Sequence, residues 1–270
     1  HTLPLIRRWS KRSMNESHLT LLMVDYAYLR LISPLKHLFM KRWSLAVAIE
    51  KRMLSREFKL VAARPGDIFK PMWFLMLVIS MVPLALAPDS LLLAEIGSAM
   101  IWVATLLAIL LNTEHLFQSD FSDGVLEQWL FLDRPLAWLV ALKLVAHWFF
   151  HVLPLILMTP IAGLMMSVPP HVLTALLITL IVATPALTCF SGLGAALTLG
   201  SSRSGILGVL VMMPLFVPVV ILAAGVLIRA TDGSDTLPLL ALLGAFSVVA
   251  ATLVPIAVSA AIRLNIGGSS

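Results

Sequence analysis

A chain of 270 residues that is 60% hydrophobic and only 12% charged, with a mean hydropathy of +0.98, is too apolar for a soluble domain, which runs at about 45–50% apolar and about 25% charged. The same excess excludes disorder and collagen, and the single cysteine, Cys189, excludes an internal disulfide scaffold. The formal charge of +5 leaves a nucleic-acid or anionic-lipid binder to be weighed.

Residues 1–52 carry ten Lys/Arg against three Asp/Glu, a net of +7, whereas 53–270 carry nine against eleven, a net of −2. The basicity thus belongs to one end and points to no nucleic-acid partner for the rest. Leu19 to Val24 is apolar but stops at Asp25, too short to span a bilayer or to form a signal-peptide core. Residues 1–52 read as a basic N-terminal extension outside the functional domain, with a membrane-surface arm as the alternative. From Met53, residues 53–64 read as an amphipathic interfacial helix before Pro65-Gly66 turns the chain.

Six stretches are long and apolar enough to cross a membrane: 71–88, 95–116, 136–164, 172–200, 205–229 and 237–262. Their Leu, Val, Ile and Ala content lacks the alternation of barrel strands. The expectation is an all-α polytopic membrane protein with a permease domain over 53–270. Pro154 and Pro160 predict a kink in the third span. With the N-terminal side inside, Arg56, Lys59, Arg64, Lys70, Arg134, Arg203 and Arg263 fall inside and Arg229 alone outside. The positive-inside rule then places both termini in the cytoplasm.

The link between spans two and three is the richest polar segment. Phe117, Phe121, Val125 (or Leu126) and Trp129 recur at three-to-four spacing, giving one apolar helical face. Glu114, Asp120, Asp123, Glu127 and Asp133 crowd it, with Arg134 the one cation. Either it rests on the membrane surface with solvated acids, or it meets a partner with a basic groove. In span three, Lys143, His147 and His151 stand four residues apart on one face. Charges within a membrane are usually functional or paired. Lys143 is placed to pair with Glu114 or to snorkel to the interface. His147 and His151 are open to a metal, heme or proton-relay role as well as a structural one. There is no phosphate-binding G-x-x-x-x-G-K-[ST] loop, His-Glu-x-x-His motif or Cys-x-x-Cys pair. ATP hydrolysis by that loop and a motif-borne metal site are not expected of this chain.

Several runs carry a resemblance. Ile101-Trp102-Val103-Ala104 is followed by Glu114-His115-Leu116-Phe117 and Asp123-Gly124-Val125-Leu126-Glu127-Gln128. Then come Lys143-Leu144-Val145-Ala146-His147-Trp148, Leu153-Pro154-Leu155, Thr184-Pro185, Ala196 to Gly200 with Arg203 and Gly205, Pro214-Leu215 and Pro218. In this order, from Met53 on, the chain resembles the CcmB family, the ABC-type permease subunit of the heme exporter in cytochrome c maturation. The resemblance implies an ABC-2-type permease-like, non-catalytic subunit of the bacterial inner membrane, paired as a homodimer with a separate cytoplasmic ATPase, CcmA. It further implies association with CcmC and CcmD, and indirectly with the periplasmic heme chaperone CcmE. No cofactor is expected to be held firmly; heme is a candidate substrate, and ATP is used by the partner. The link 114–130 becomes the candidate coupling element, with Glu114, Phe117, Asp120, Asp123, Gly124, Glu127, Gln128 and Trp129 as its residues. Lys143, His147 and Trp148 become the intramembrane candidates. The competing readings are a heme-binding or redox membrane protein using His147 and a passive scaffold of the maturation complex.

Overall fold

The computed structural model describes residues 53, 55–59, 63, 66–86, 90–112, 116–132, 134–199 and 204–267. The chain divides into two compact units, His1–Met53 and Leu54–Ser270, and the spans lie in the second. The expectations for 1–52, Glu114, Asp133 and Arg203 lie outside the described residues.

Among the described residues all regular structure is helical. The elements are α1 (Gly66–Ala85), α2 (Ser90–Leu111), α3 (Gln118–Ser122), α4 (Val125–Leu130), α5 (Leu136–His147), a π-helical turn (Trp148–Val152), α6 (Leu153–Met165), α7 (Pro170–Leu197), α8 (Ser204–Thr231) and α9 (Leu237–Gly267). They supply six stretches long and apolar enough to cross a membrane: Gly66–Ala85, Leu91–Leu111, Leu136–Met165, Pro170–Leu197, Met212–Thr231 and Leu237–Ile266. The expected number and order hold, with shifted ends. The first begins earlier, where Asp67 lies in the positive first turn of α1 and pairs with Lys70 at 3.0 Å. The second stops at Leu111, because Leu116 and Phe117 leave the helix and turn into the core.

Prolines perturb the spans less than their chemistry suggests. Pro185, Pro214, Pro218 and Pro160 all sit inside continuous helix, as membrane bundles allow when neighbours absorb the lost bond. The third span alone changes geometry, at the π turn immediately ahead of Leu153-Pro154. Pro154 has no N–H to give the carbonyl of Phe150, and a widened turn accommodates that missing bond. Past the end of the third span Pro170 opens α7 at its first helical position, where no donor is needed.

The core sits around α7, which packs against α2, α5, α6, α8 and α9. Close approach there depends on a missing side chain. A Cβ on Gly192 would lie 2.5 Å from Leu144 Cδ2 of α5. Asn265 Nδ2 of α9 donates to the Ala196 carbonyl at 3.0 Å, tying the ends of these two helices together. Around this core large apolar side chains stay uncovered. On α1, Trp73 is 74% exposed and Met81 and Leu84 are exposed too, while Leu75 and Ile79 are fully buried. That division is expected of a bundle whose solvent is hydrocarbon.

Candidate functional site

The segment joining spans two and three is folded into the bundle. Its two helices, α3 and α4, are five and six residues long, too short to persist in water alone. Packing holds them: Phe117 and Leu126 are fully buried and Trp129 nearly so. Between them Gly124 takes φ +67°, a left-handed conformation that other residues adopt at a cost of roughly 1–2 kcal/mol. Of the apolar face expected over Phe117, Phe121, Val125 (or Leu126) and Trp129, Phe121 and Val125 are only half-buried and the face is broken into two helices at Gly124, while Phe117, Leu126 and Trp129 are buried. Those three residues anchor the link. Its uncovered side carries Asp123, Glu127 and Gln128, followed by Phe131 at 90% exposure.

Asp120 departs from its acidic neighbours. Its side chain is fully buried, and it is the centre of an ionic cluster. Arg56 Nη1 donates to Asp120 Oδ1 at 2.7 Å, and Lys143 Nζ lies in ion-pair contact with Asp120 Oδ2 without the alignment of a hydrogen bond. Lys143 Nζ donates to Glu57 Oε1 at 2.9 Å. It also stands 5.9 Å from the centre of the Phe117 ring, within range of a cation–π attraction. Asp123 Oδ2 is 3.9 Å from Arg56 Nη2. Two cations, the carboxylates of Asp120 and Glu57 and, at the exposed margin, that of Asp123 thus meet from three places in the chain: the helical stretch 55–59, α3 with its C-cap, and α5. Taking such charges out of water is expensive unless each is paired, and here each is.

This arrangement reassigns two residues. Asp120 turns inward and cannot itself touch a partner while the cluster is closed. Lys143 is 5% exposed and paired in place, so it does not snorkel; its carboxylate partners among the described residues are Glu57 and Asp120.

Beside the cluster lies a cavity of about 670 Å³. It is lined by Glu57, Asp67 and Asp123 among the acids, and by Lys70, Lys143, His147 and His151 among the bases. The face expected for Lys143, His147 and His151 is thus real, and it looks into this space. The two imidazoles are stacked, with ring centres 4.5 Å apart and planes 18° from parallel. Parallel neighbours on one helix cannot grip a heme iron from opposite sides. Among the described residues no group of three or more His, Cys, Asp or Glu side chains is placed to hold a metal ion. Trp148 does not line the cavity; its Nε1 donates to Thr184 Oγ1 at 2.9 Å, joining the π turn to α7.

Sequence reasoning missed Arg56 and Glu57 as parts of the site, reading them only as an inside-marking cation and one position of an interfacial helix. The available signal was a balance problem. An intramembrane lysine requires a carboxylate, and adjacent Arg56-Glu57 supplies one partner for Lys143 and another for Asp120.

A family profile described as CcmB protein matches residues 48–265. The chain is similar to the heme exporter protein B of Pseudomonas aeruginosa, 41% identical over 215 residues that cover 80% of this chain and 96% of that protein. It is similar to the protein of the same name from Haemophilus influenzae, 42% identical over 214 residues, 79% of this chain and 97% of that one. To that of Escherichia coli K12 it is 36% identical over 215 residues, 80% and 98% of the two chains. A match that spans all six apolar helices and nearly the whole of these relatives leaves one assignment: the chain is a multi-pass membrane protein belonging to the CcmB family.

Proposed function

We propose that this chain is the membrane-spanning, non-catalytic permease subunit of an ATP-driven complex that handles heme for cytochrome c maturation in the bacterial inner membrane. The names of its relatives, heme exporter protein B, support the cargo. The distribution of Lys and Arg supports cytoplasmic termini and a cytoplasmic link. The carrying observation is the link itself: a segment anchored in the core by Phe117, Leu126 and Trp129 that offers Asp123, Glu127, Gln128 and Phe131 outward. An anchored segment with an acidic and aromatic outer side suits a basic groove on a separate ATPase, CcmA. CcmC, CcmD and, indirectly, CcmE complete the assembly in this reading, with two copies of the permease.

The test is affinity purification of the full chain from membranes, with identification of partners and an absorption scan for heme. The ATPase is expected to co-purify and to be lost when Asp123, Glu127 and Phe131 are all changed to Ala. Retention of the ATPase by that variant would refute docking on the link. Stoichiometric heme in the isolated subunit, lost in His147→Ala, would instead assign the chain as a heme-binding protein.

A further inference from the structure

We propose that Asp120, Lys143, Glu57 and Arg56 form a clamp that carries movement of the link into the third span. The proposal rests on the reading of the link as the element on which the ATPase docks. Asp120, Lys143, Glu57 and Arg56 are positioning residues: none of them meets the ATPase, and they determine what moves when it pushes.

The argument starts from burial. Asp120 is fully enclosed and Lys143 nearly so, and each has its counter-charge on a different piece of chain. If α3 shifted alone, Asp120 would leave both cations behind and stand as an uncompensated buried carboxylate, with Lys143 reduced to Glu57 and Arg56 to its contact with water. That state is strongly disfavoured. A displacement of α3 therefore either takes α5 and the 55–59 stretch with it or opens the cluster toward water. The second route has a place to go, because Glu57, Lys143 and Asp123 line the adjoining cavity. Arg56 is already poised for an exchange of partners. It holds Asp120 at 2.7 Å and stands 3.9 Å from Asp123, three residues further along. Rotation of α3 that withdraws Asp120 brings Asp123 toward the same guanidinium. The proposal therefore pairs the observed arrangement with a second one in which Asp123 replaces Asp120 on Arg56, the two states that a coupling element requires.

The clamp lies at a point where span three can respond. Lys143 is one turn before His147, and the π turn Trp148–Val152 follows at once. A π turn is a local break in α-helical bonding that is frequent at functional sites, and it gives span three a place to bend when motion arrives at Lys143.

The experiment uses the complete complex, comparing the parent with Asp120→Asn, Lys143→Gln and the charge-conserving Lys143→Arg. Three quantities are read: ATPase retained on purification, ATP hydrolysed, and cytochrome c matured per ATP. Asp120→Asn and Lys143→Gln are expected to keep the ATPase and to hydrolyse ATP, while cytochrome c per ATP falls about tenfold, a usual size for a coupling between sites. Lys143→Arg, which keeps the charge facing Glu57 and Asp120, keeps most of that ratio. A purely structural role would lower folded protein, ATPase and cytochrome c together and leave the ratio unchanged, which overturns the proposal. Hydrogen exchange on the parent complex gives a second reading independent of variant folding. On adding a non-hydrolysable ATP analogue, protection over 118–122 and 136–147 is expected to change together; change in 118–122 alone overturns the clamp. Absence of the ATPase from the parent complex would refute docking on the link, a different failure.

Discussion

Replacing Lys143 with methionine keeps the length of the side chain and deletes its charge. The structure sets the size of the effect. Lys143 Nζ serves Glu57 at 2.9 Å and Asp120 through its second oxygen, and Asp120 has no exposure to water. Removing one member of a buried ionic pair costs about 3–5 kcal/mol, because the counter-charge is left without compensation. Asp120 keeps Arg56 at 2.7 Å, which places the loss near the lower end, about 3 kcal/mol. For a domain of this size each kcal/mol moves the melting midpoint by about 2–4 °C, so Lys143→Met is expected to melt about 6–12 °C below the parent.

Thermal unfolding of the detergent-solubilised protein, followed by far-ultraviolet circular dichroism, measures it. Adding Glu57→Leu to Lys143→Met removes the stranded carboxylate and is expected to recover part of the loss, as replacing both members of a buried pair by apolar groups often does. A lysine that merely reached out to the lipid headgroups would behave as a surface residue, within about 0.5 kcal/mol of neutral. A melting point for Lys143→Met within about 2 °C of the parent would therefore sink the cluster as a stabilising element.

Close packing in the bundle makes two glycine substitutions unequal. A Cβ on Gly97 would meet Val168 Cγ2 at 2.7 Å and the Met166 carbonyl at 3.2 Å, so Gly97→Ala forces backbone to move and is expected to cost about 1–3 kcal/mol in the same melting assay. Gly192→Ala strikes only the end of Leu144, and combined with Leu144→Ala it should lose less than the sum of the two single changes, by about 0.5–3 kcal/mol. Gly124→Ala meets no atom within 4 Å; its cost, roughly 1–2 kcal/mol, is purely that of a left-handed backbone. Gly124→Asn should lose less, and equal losses in the two variants would remove the backbone explanation.

The spans were legible because a bilayer imposes a length and a composition on each crossing, and both are local properties of sequence. Six were expected, and among the described residues six helical stretches meet the requirement. Their ends were less legible: the second span was expected to run on to Leu116, yet its helix stops at Leu111, where the polar run Asn112-Thr113-Glu114-His115 begins. Beyond that run Leu116 and Phe117 are buried in the core rather than carried on the span. The face shared by Lys143, His147 and His151 followed from helical spacing alone and is found lining one cavity. The partners of Lys143 did not follow. Glu57 is 86 residues away and Arg56 is 64 residues from Asp120, and no periodicity connects positions so remote. Asp120 and Asp123 show the same limit at short range. They are three residues apart with the same charge, yet one is wholly buried and the other 64% exposed. Packing of the fold separates them; sequence pattern cannot.

That separation bears on how a short link can transmit force. Helices of five and six residues have too few internal bonds to be stiff by themselves. A push on their exposed side would simply unwind them if they were a free loop. Two kinds of contact prevent this. Phe117, Leu126 and Trp129 fix the position of the link against the bundle by area, a contact that resists separation but tolerates small slides. Asp120 fixes its register against α5 and the 55–59 stretch through directional charge contacts that do not tolerate sliding. The apolar contacts keep the link attached, and the ionic ones decide which neighbour follows it. Deleting an anchor and deleting a charge should therefore fail differently, the first by loss of the folded link and its docking, the second by loss of coupling with docking intact.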